Sequence, residues 1–372
     1  MDFSLNEDHL ALREAVQRFC KDVYPAQNRG NSETQEQASA RWRGLAELGL
    51  LGLPLPAKYG GSEQGAIEVM IAAQEFGRAL GGGAYIPGII LAAQLLLRLG
   101  NAQQHELLSA VASGESQVAL ALYEEGQRYD WRACATHATA VTDGYRLEGG
   151  KSLVLHADTA DRFLVLAHLA TATGDGLALF LVDAKVTGLK LKHFSTLDGR
   201  SAAHLEFSGV VLASSALVGV PGQCSDALEA VLDTTVAALC AEATGATDAL
   251  LELTAEHLRT RKQFGAPLAK FQALQHQFAD MVIGLEQLKS MACAAAMAQI
   301  DGSDEQRKHL SSAAKVLTGQ LGRQIGLAAI QLHGAMGMTD ECRVGHYVKR
   351  LMVIGQLFGD SHTHLQRLVK PI

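Results

Sequence analysis

The segment Phe358-Gly359-Asp360-Ser361-His362-Thr363-His364-Leu365-Gln366-Arg367-Leu368 holds one carboxylate among a glycine, hydroxyls and two imidazoles. Asp360 is the only acid nearby, and the next one back is Glu341. A lone carboxylate after an apolar stretch can take a proton from a substrate as a general base. It can equally accept backbone N–H groups as the N-cap of the short helical run that follows. Both readings are open. His362 and His364, at i and i+2 on a helical segment, diverge and have no third ligand nearby. A nucleotide contact or plain surface is expected of them, and no metal.

A second candidate is Arg259-Thr260-Arg261-Lys262-Gln263-Phe264-Gly265, with Phe271-Gln272 opening the next helix. Packing at a helix–helix joint accounts for such a stretch. Arg261 beside Gln263 and Phe264 also offers a planar cation, an amide and a ring, a trio suited to a phosphate or nucleotide. A third is Gln331-Leu332-His333-Gly334-Ala335-Met336-Gly337-Met338-Thr339. Its glycines suit a helix C-cap and loop, or a bend on which a flat ring or sugar rests. Glu242 stands in the apolar run Leu239–Ala246, where structural pairing is the expected role. No G-x-G-x-x-G follows a strand, and P-loop, HExxH and GxSxG signatures are absent.

The elements that would position these groups read as helix-rich, then strand-rich, then helix-rich. Ser4 and Glu7 have the spacing of a capping box. Leu12, Val16, Phe19, Cys20 and Val23 then share one helical face. Helical patterns follow over roughly 66–80, 88–99 and 104–112, with a loop at 54–65. From about Gly114 the texture turns β: runs at 118–123, 163–167, 177–182 and 203–212, and a hairpin over 137–149 turning on Asp143-Gly144. The spacing suits an antiparallel sheet. Patterns at 226–259, 268–300, 304–333 and 344–356 are long, Ala- and Leu-rich helices of a bundle.

Composition narrows the classes further. Apolar residues at 48% supply ample core. A net charge of −7 with no basic stripe argues against nucleic acid and anionic membrane surfaces. No apolar run approaches the roughly 20 residues of a membrane helix, and the acid-bearing N-terminus does not read as a signal peptide. A cytoplasmic protein is expected. The six cysteines are scattered with no CxxC pair, as buried reduced thiols would be.

Taken together, Arg261–Gly265, Phe271-Gln272, Gln331–Thr339 and Gln366–Leu368, in this order and spacing, resemble the acyl-CoA dehydrogenases. Leu239–Ala246, Lys151–Phe163 and Leu357–Leu368 are further similar to the branch called pimeloyl-CoA dehydrogenase small subunit. The resemblance covers the whole chain. It implies an α+β fold: an N-terminal α-helical domain (1–115), a middle β-domain (116–218) and a C-terminal four-helix bundle (219–372). It implies FAD bound between β-domain and bundle of an oligomer, a dimer of dimers, with an electron-transfer flavoprotein as acceptor. The implied reaction is α,β-dehydrogenation of an acyl-CoA. A carboxylate removes the α-proton, and a backbone N–H with a flavin hydroxyl polarises the thioester oxygen. Counting back from Gln366, Asp360 matches the usual catalytic glutamate. The alternative family position matches about Thr235, which is no acid.

Residue by residue, the implied flavin contacts divide in two. Arg261, Gln272, Gln331 and Gly334, with Gln263 and Phe264 of the same motif, match the family's grip on the pyrophosphate and adenosine of a neighbour's FAD, while Ala335 stands in place of the family's second glycine. His362 and His364 match the positions that contact the chain's own FAD. On the ring side, the family's Thr-Glu-Pro-x-x-Gly-Ser-Asp is here Tyr123-Glu124-Glu125-Gly126-Gln127-Arg128-Tyr129-Asp130. Its Trp-Ile-Thr/Ser-Asn is Leu153-Val154-Leu155-His156. Main-chain N–H groups at Tyr123, Gly126, Leu153 and Leu155 can still bond the ring, since they do not depend on side-chain identity. Aspartate is also shorter than glutamate by one methylene, about 1.5 Å, and a 1 Å misplacement can cost ~100-fold in rate. Three functions follow: a flavoenzyme oxidising acyl-CoA, a subunit completing a partner's FAD site in a heteromer, or a non-redox elimination on the same fold.

Overall fold

The structure is a computed structural model describing residues 5–24, 34–171 and 174–369. Ser4 lies outside these. Helix α1 (Glu7–Val23) is capped by Asn6, whose Oδ1 accepts from His9 N at 2.8 Å. Helices α2 (Gln35–Glu47) and α3 (Ala66–Ala79) follow, then a π-helical segment (Tyr85–Ala93) running into α4 (Gln94–Leu99), and α5 (Ala102–Ala112). The π-helical segment is buried along its whole length. A π register in a helix is rare and commonly marks a functional site.

Eight strands form the middle sheet: β1 (Val118–Ala121), β2 (His137–Val141), β3 (Gly144–Leu155), β4 (Arg162–Thr171), β5 (Gly174–Asp183), β6 (Leu189–Ser195), β7 (Ser201–Ala213) and β8 (Leu217–Val218). Their order is β6-β7-β3-β2-β4-β5-β8, with β1 also against β4. The purely antiparallel expectation is corrected here, because β1 and β2 both run parallel to β4. They do so in series along one edge: Ala121 lies opposite Val165, and His137 lies opposite His168. The segment between them leaves the sheet and re-enters beside its point of departure. Strand β6 escaped the pattern because its alternation of Leu189, Lys190, Leu191 and Lys192 is short and sits on an edge.

The C-terminal bundle is α6 (Ser225–Thr260), α7 (Gln272–Asp301), α8 (Asp304–His333) and α9 (Arg343–Gln356), followed by α10 (Ser361–Val369). A small hairpin, β9 (Lys262–Gln263) and β10 (Ala266–Pro267), joins α6 to α7. Helices α3 and α6 cross in backbone contact. A Cβ on Gly77 would stand 1.9 Å from Glu242 O, and one on Gly245 would stand 1.8 Å from Gln74 O. The architecture is therefore an N-terminal helical domain, a middle β-domain and a C-terminal helical bundle.

One buried ionic cluster ties the three parts. Arg350 on α9 donates to Glu242 on α6 at 2.8 and 2.6 Å and to Asp198, in the β6–β7 turn, at 2.8 Å. Arg200 from the same turn donates to Glu242 at 2.7 Å and to Gly81 O, after α3, at 2.8 Å. Burial opposes the charge on Glu242, yet the guanidiniums of Arg200 and Arg350 hold its pKa below the ordinary carboxylate value. The structural pairing expected of Glu242 is what the chain builds.

Candidate functional site

Asp360 sits between α9 and α10. The chain reverses through Phe358 (φ +56°) and Gly359 (φ +116°), so that the Asp360 side chain meets the start of α10. Its Oδ1 accepts from Thr363 N and from Thr363 Oγ1, both at 2.8 Å. These are the contacts of an N-cap. Its Oδ2 lies 3.7 Å from Arg128. Burial opposes the charge, but the Thr363 bonds and Arg128 hold its pKa below the usual aspartate value. A carboxylate so held is a weaker base than a free one. Thr235, the alternative position for a base, is buried with its hydroxyl donating to Val231 O at 2.8 Å.

The ring-side residues converge beside this turn. Tyr123, Leu153 and Leu155 line one cavity with Phe358, Leu120, Leu122, and Pro87 and Leu91 of the π-helical segment. The Tyr123 and Phe358 rings lie 6.2 Å apart. Two features place these side chains. A register shift between Lys151 and Val154 bulges β3, where Leu153 takes φ +51°. Behind it the fully buried Lys151 donates to Leu122 O at 3.2 Å and to Glu124 at 2.5 Å. Glu124 also accepts from Ala135 N at 2.8 Å and Thr136 N at 3.0 Å. Burial raises its pKa, but Lys151 and Thr136 outweigh that and bring it to about 2. The Glu124 that survives from the family pattern thus holds the segment's shape. Gly126 is exposed, at φ +83°, with nothing near its Cβ direction.

The cavity itself measures about 10 Å³, room for roughly one water. Its walls are leucine, proline and aromatic carbon, with no aliphatic hydroxyl. With Leu153 and Leu155 where the resemblance implies a tryptophan and a hydroxyl, the donor set here does not match a flavin-ring site. A wider groove, about 330 Å³, lies between α1 and α3 and is lined by Gln17, Cys20, Lys21, Glu75, Arg78 and Ala79. None of the sequence-predicted site residues belongs to it.

The nucleotide-side residues present the opposite picture. Arg261 ends α6, and the β9–β10 hairpin turns on Phe264 (φ +51°) and Gly265 (φ +79°). Arg261, Gln263, Gln272, Gln331, Gly334 and Ala335 are all exposed, and Phe264 is 90% exposed. Arg261 has no carboxylate partner among the described residues. Gly334, at φ +61°, leaves open space where a Cβ would stand. The two segments are joined from beneath, where His257 on α6 stacks on His333 of α8 with ring centroids 4.3 Å apart. Exposed Met336 and Met338 extend the same loop. A cation, three amides and an unobstructed glycine bend fit a nucleotide diphosphate.

The post-Asp360 histidines separate. His362 is exposed. His364 is buried, its Nδ1 3.2 Å from Ser312 Oγ and its Nε2 3.1 Å from Phe358 O. Burial, with Lys315 and Arg367 nearby, lowers its pKa to about 3, so the ring is neutral. It braces the turn from inside the bundle and has no face free for a cofactor in this chain. Arg367 of the terminal Gln-Arg-Leu likewise turns inward, to Asp233 at 2.9 Å. Sequence reasoning missed Lys151, Lys315, Phe358 and the Pro87–Leu91 wall. Lys151 carried a signal, since it stands among the apolar residues of a strand pattern, whereas Lys315, with Ser311, Ser312, Thr318 and Gly319 at helix spacing, carried none. All six cysteines are free, four of them buried.

Comparison with known proteins agrees with this architecture. Three models match in order: acyl-CoA dehydrogenase N-terminal domain over residues 6–115, middle domain over 119–210 and C-terminal domain over 226–372. Probable acyl-CoA dehydrogenase YngJ of Bacillus subtilis is 28% identical, covering 99% of this chain and 98% of its own. Among solved structures, a variant of the Tcur3481-Tcur3483 steroid ACAD is 30% identical (TM-score 0.86, 98% and 97% of the two chains). The ChsE4-ChsE5 complex from Mycobacterium tuberculosis is 24% identical (TM-score 0.85, all of both chains). The FAD complex of PigA is 23% identical (TM-score 0.90, 99% and 98%). With all three domain models matched in sequence, the chain belongs to the acyl-CoA dehydrogenase family.

Proposed function

We propose that this chain is the nucleotide-gripping subunit of an FAD-dependent acyl-CoA dehydrogenase built from two related chains. One contrast carries the proposal: a ring-side cavity of about 10 Å³ walled by Tyr123, Leu153, Leu155 and Phe358, against a fully open Arg261–Gln331 face. Arg261 binds the diphosphate of an FAD whose ring lies in the partner, Gln272 and Gln331 orient it, and the Gly334 bend lets the nucleotide approach the backbone. FAD, when bound, supplies the hydride acceptor, and an acyl-CoA is oxidised against it. Exposed Phe264, Met336 and Met338 surround the grip, as side chains destined for a subunit interface do. The hyphenated pair of names on one related structure, and the complex named for another, suit a two-chain assembly. So does the likeness to a small-subunit branch. An electron-transfer flavoprotein is the fitting acceptor.

The test is to purify the chain alone and with a co-expressed related subunit, counting released flavin and weighing the assemblies by native mass spectrometry. A folded colourless chain, and an active heteromer with one FAD per pair of chains, are expected. A fully flavinated, active homo-oligomer refutes the proposal. It would favour the second reading, in which this chain oxidises acyl-CoA itself with Asp360 as base. One observation speaks for that reading: Asp360 Oδ2 stays outside the cap, facing Arg128 across 3.7 Å.

A further inference from the structure

Lys315 lies midway along α8 with its side chain wholly buried. Its ammonium has no carboxylate partner among the described residues. It donates instead to Ile354 O at 2.7 Å, Gly355 O at 3.1 Å and Gly359 O at 2.7 Å. The first two carbonyls belong to the last turn of α9, the negative end of that helix. The third lies beyond the helix, in the turn that carries Phe358 and Asp360. Ser312, one turn away on the same face of α8, reaches the same turn through His364, whose other nitrogen meets Phe358 O.

Capping a helix end does not need a buried cation, since water or a glycine turn satisfies such carbonyls elsewhere. Burying an ammonium is costly unless its hydrogen bonds are all made. Burial brings the Lys315 pKa down to about 8. What this lysine adds over an ordinary cap is the bond to Gly359 O, which fixes a backbone already held in left-handed conformations at Phe358 and Gly359. The side chain just before Gly359, that of Phe358, lines the apolar cavity.

We propose that Lys315 is a positioning residue that clamps the 357–360 turn onto α8, so that Phe358 shuts the cavity beside Tyr123, Leu153 and Leu155. This deepens the two-chain reading and rests on it: the clamp keeps a flavin ring out of this subunit while the nucleotide face stays open.

Hydrogen–deuterium exchange on the co-purified assembly tests it. In Lys315→Met, residues 357–361 should exchange about tenfold faster or more, the loss of a charge-assisted anchor. Residues 122–129 should loosen with them, and α6 and α7 should keep wild-type protection. If that variant does not fold, Lys315→Gln decides: its amide keeps an uncharged donor on a shorter side chain for the carbonyls of residues 354, 355 and 359, so the same turn should loosen in a folded bundle. Exchange at 357–361 within about twofold of wild type in the folded variants overturns the proposal. So does loosening spread evenly over α8 and α9, the mark of a merely structural lysine. The flavin count, read on the same samples, judges the two-chain reading separately.

Discussion

Replacing Asp360 separates capping from catalysis. Asparagine keeps an acceptor where Oδ1 now takes the Thr363 N and Oγ1 bonds, each 2.8 Å long. Alanine keeps neither. An N-cap Asp→Ala exchange costs about 1 kcal/mol, within roughly 0.5–2, while Asn caps as well as Asp. For a chain of this size, 1 kcal/mol lowers Tm by no more than about 2 °C. Asp360→Asn should therefore melt with wild type, and Asp360→Ala should melt slightly lower. On the two-chain reading, in which Asp360 is a cap and not the base, both should leave turnover of the assembly within about twofold. The stability term has a sign in pH as well. The folded pKa lies below the usual aspartate value, so the contribution is present above that usual value and is lost as pH falls through the lowered one. Asp360→Asn should lack this acid dependence. The assay is dye-linked acyl-CoA oxidation beside a thermal melt and a flavin count. An Asp360→Asn assembly with unchanged melting and flavin but turnover lowered about 100-fold or more would refute the reasoning, since general acid–base catalysis is worth that much.

Other perturbations probe other parts. Glu242→Gln leaves the buried Arg350 with Asp198 alone and the half-buried Arg200 without its closest carboxylate; chemical denaturation should show about 3 kcal/mol lost. Arg261→Ala should lower the assembly's FAD affinity about 10–100-fold, the worth of a charge-assisted bond, with no change in the melting of the chain alone, because Arg261 is exposed. Phe264→Glu, at the 90% exposed hairpin tip, should shift native mass spectra from assembly toward free chain. Gly245→Ala drives a Cβ into Gln74 O and should leave the chain insoluble or markedly less stable, as expression yield and circular dichroism would report.

The long helices were legible because Ala- and Leu-rich stretches repeat over many turns, and the β2–β3 hairpin because Asp143-Gly144 admits few alternatives. The parallel pairing of β1 and β2 with β4 was not legible. It depends on where the chain re-enters the sheet after residue 136, which no local pattern records. At the site, Arg261, Gln331 and Gly334 were singled out through the family resemblance, and the structure leaves all three exposed. The fate of Asp360 was undecidable in sequence, since Thr363 three residues on serves either role. His364 reads in sequence as a twin of His362, yet burial on α8 sets the two apart. Phe358 was invisible because an aromatic before a glycine carries no sign that it faces Tyr123 from another domain.

The placement of β1 and β2 along one edge of β4 has a further consequence. Because the chain departs opposite Val165 and returns opposite His168, the 122–136 segment is a side trip whose ends are fixed by the sheet and whose contents are not. Lys151 and Glu124 anchor its base from within. Substitutions along its outer course, from Glu125 to Tyr129, shift no strand and unpair no rung. A β-domain built this way can change what Tyr123 and Gly126 offer a bound ring without touching a strand pair, whereas a change at Leu153 or Leu155 falls on β3 itself.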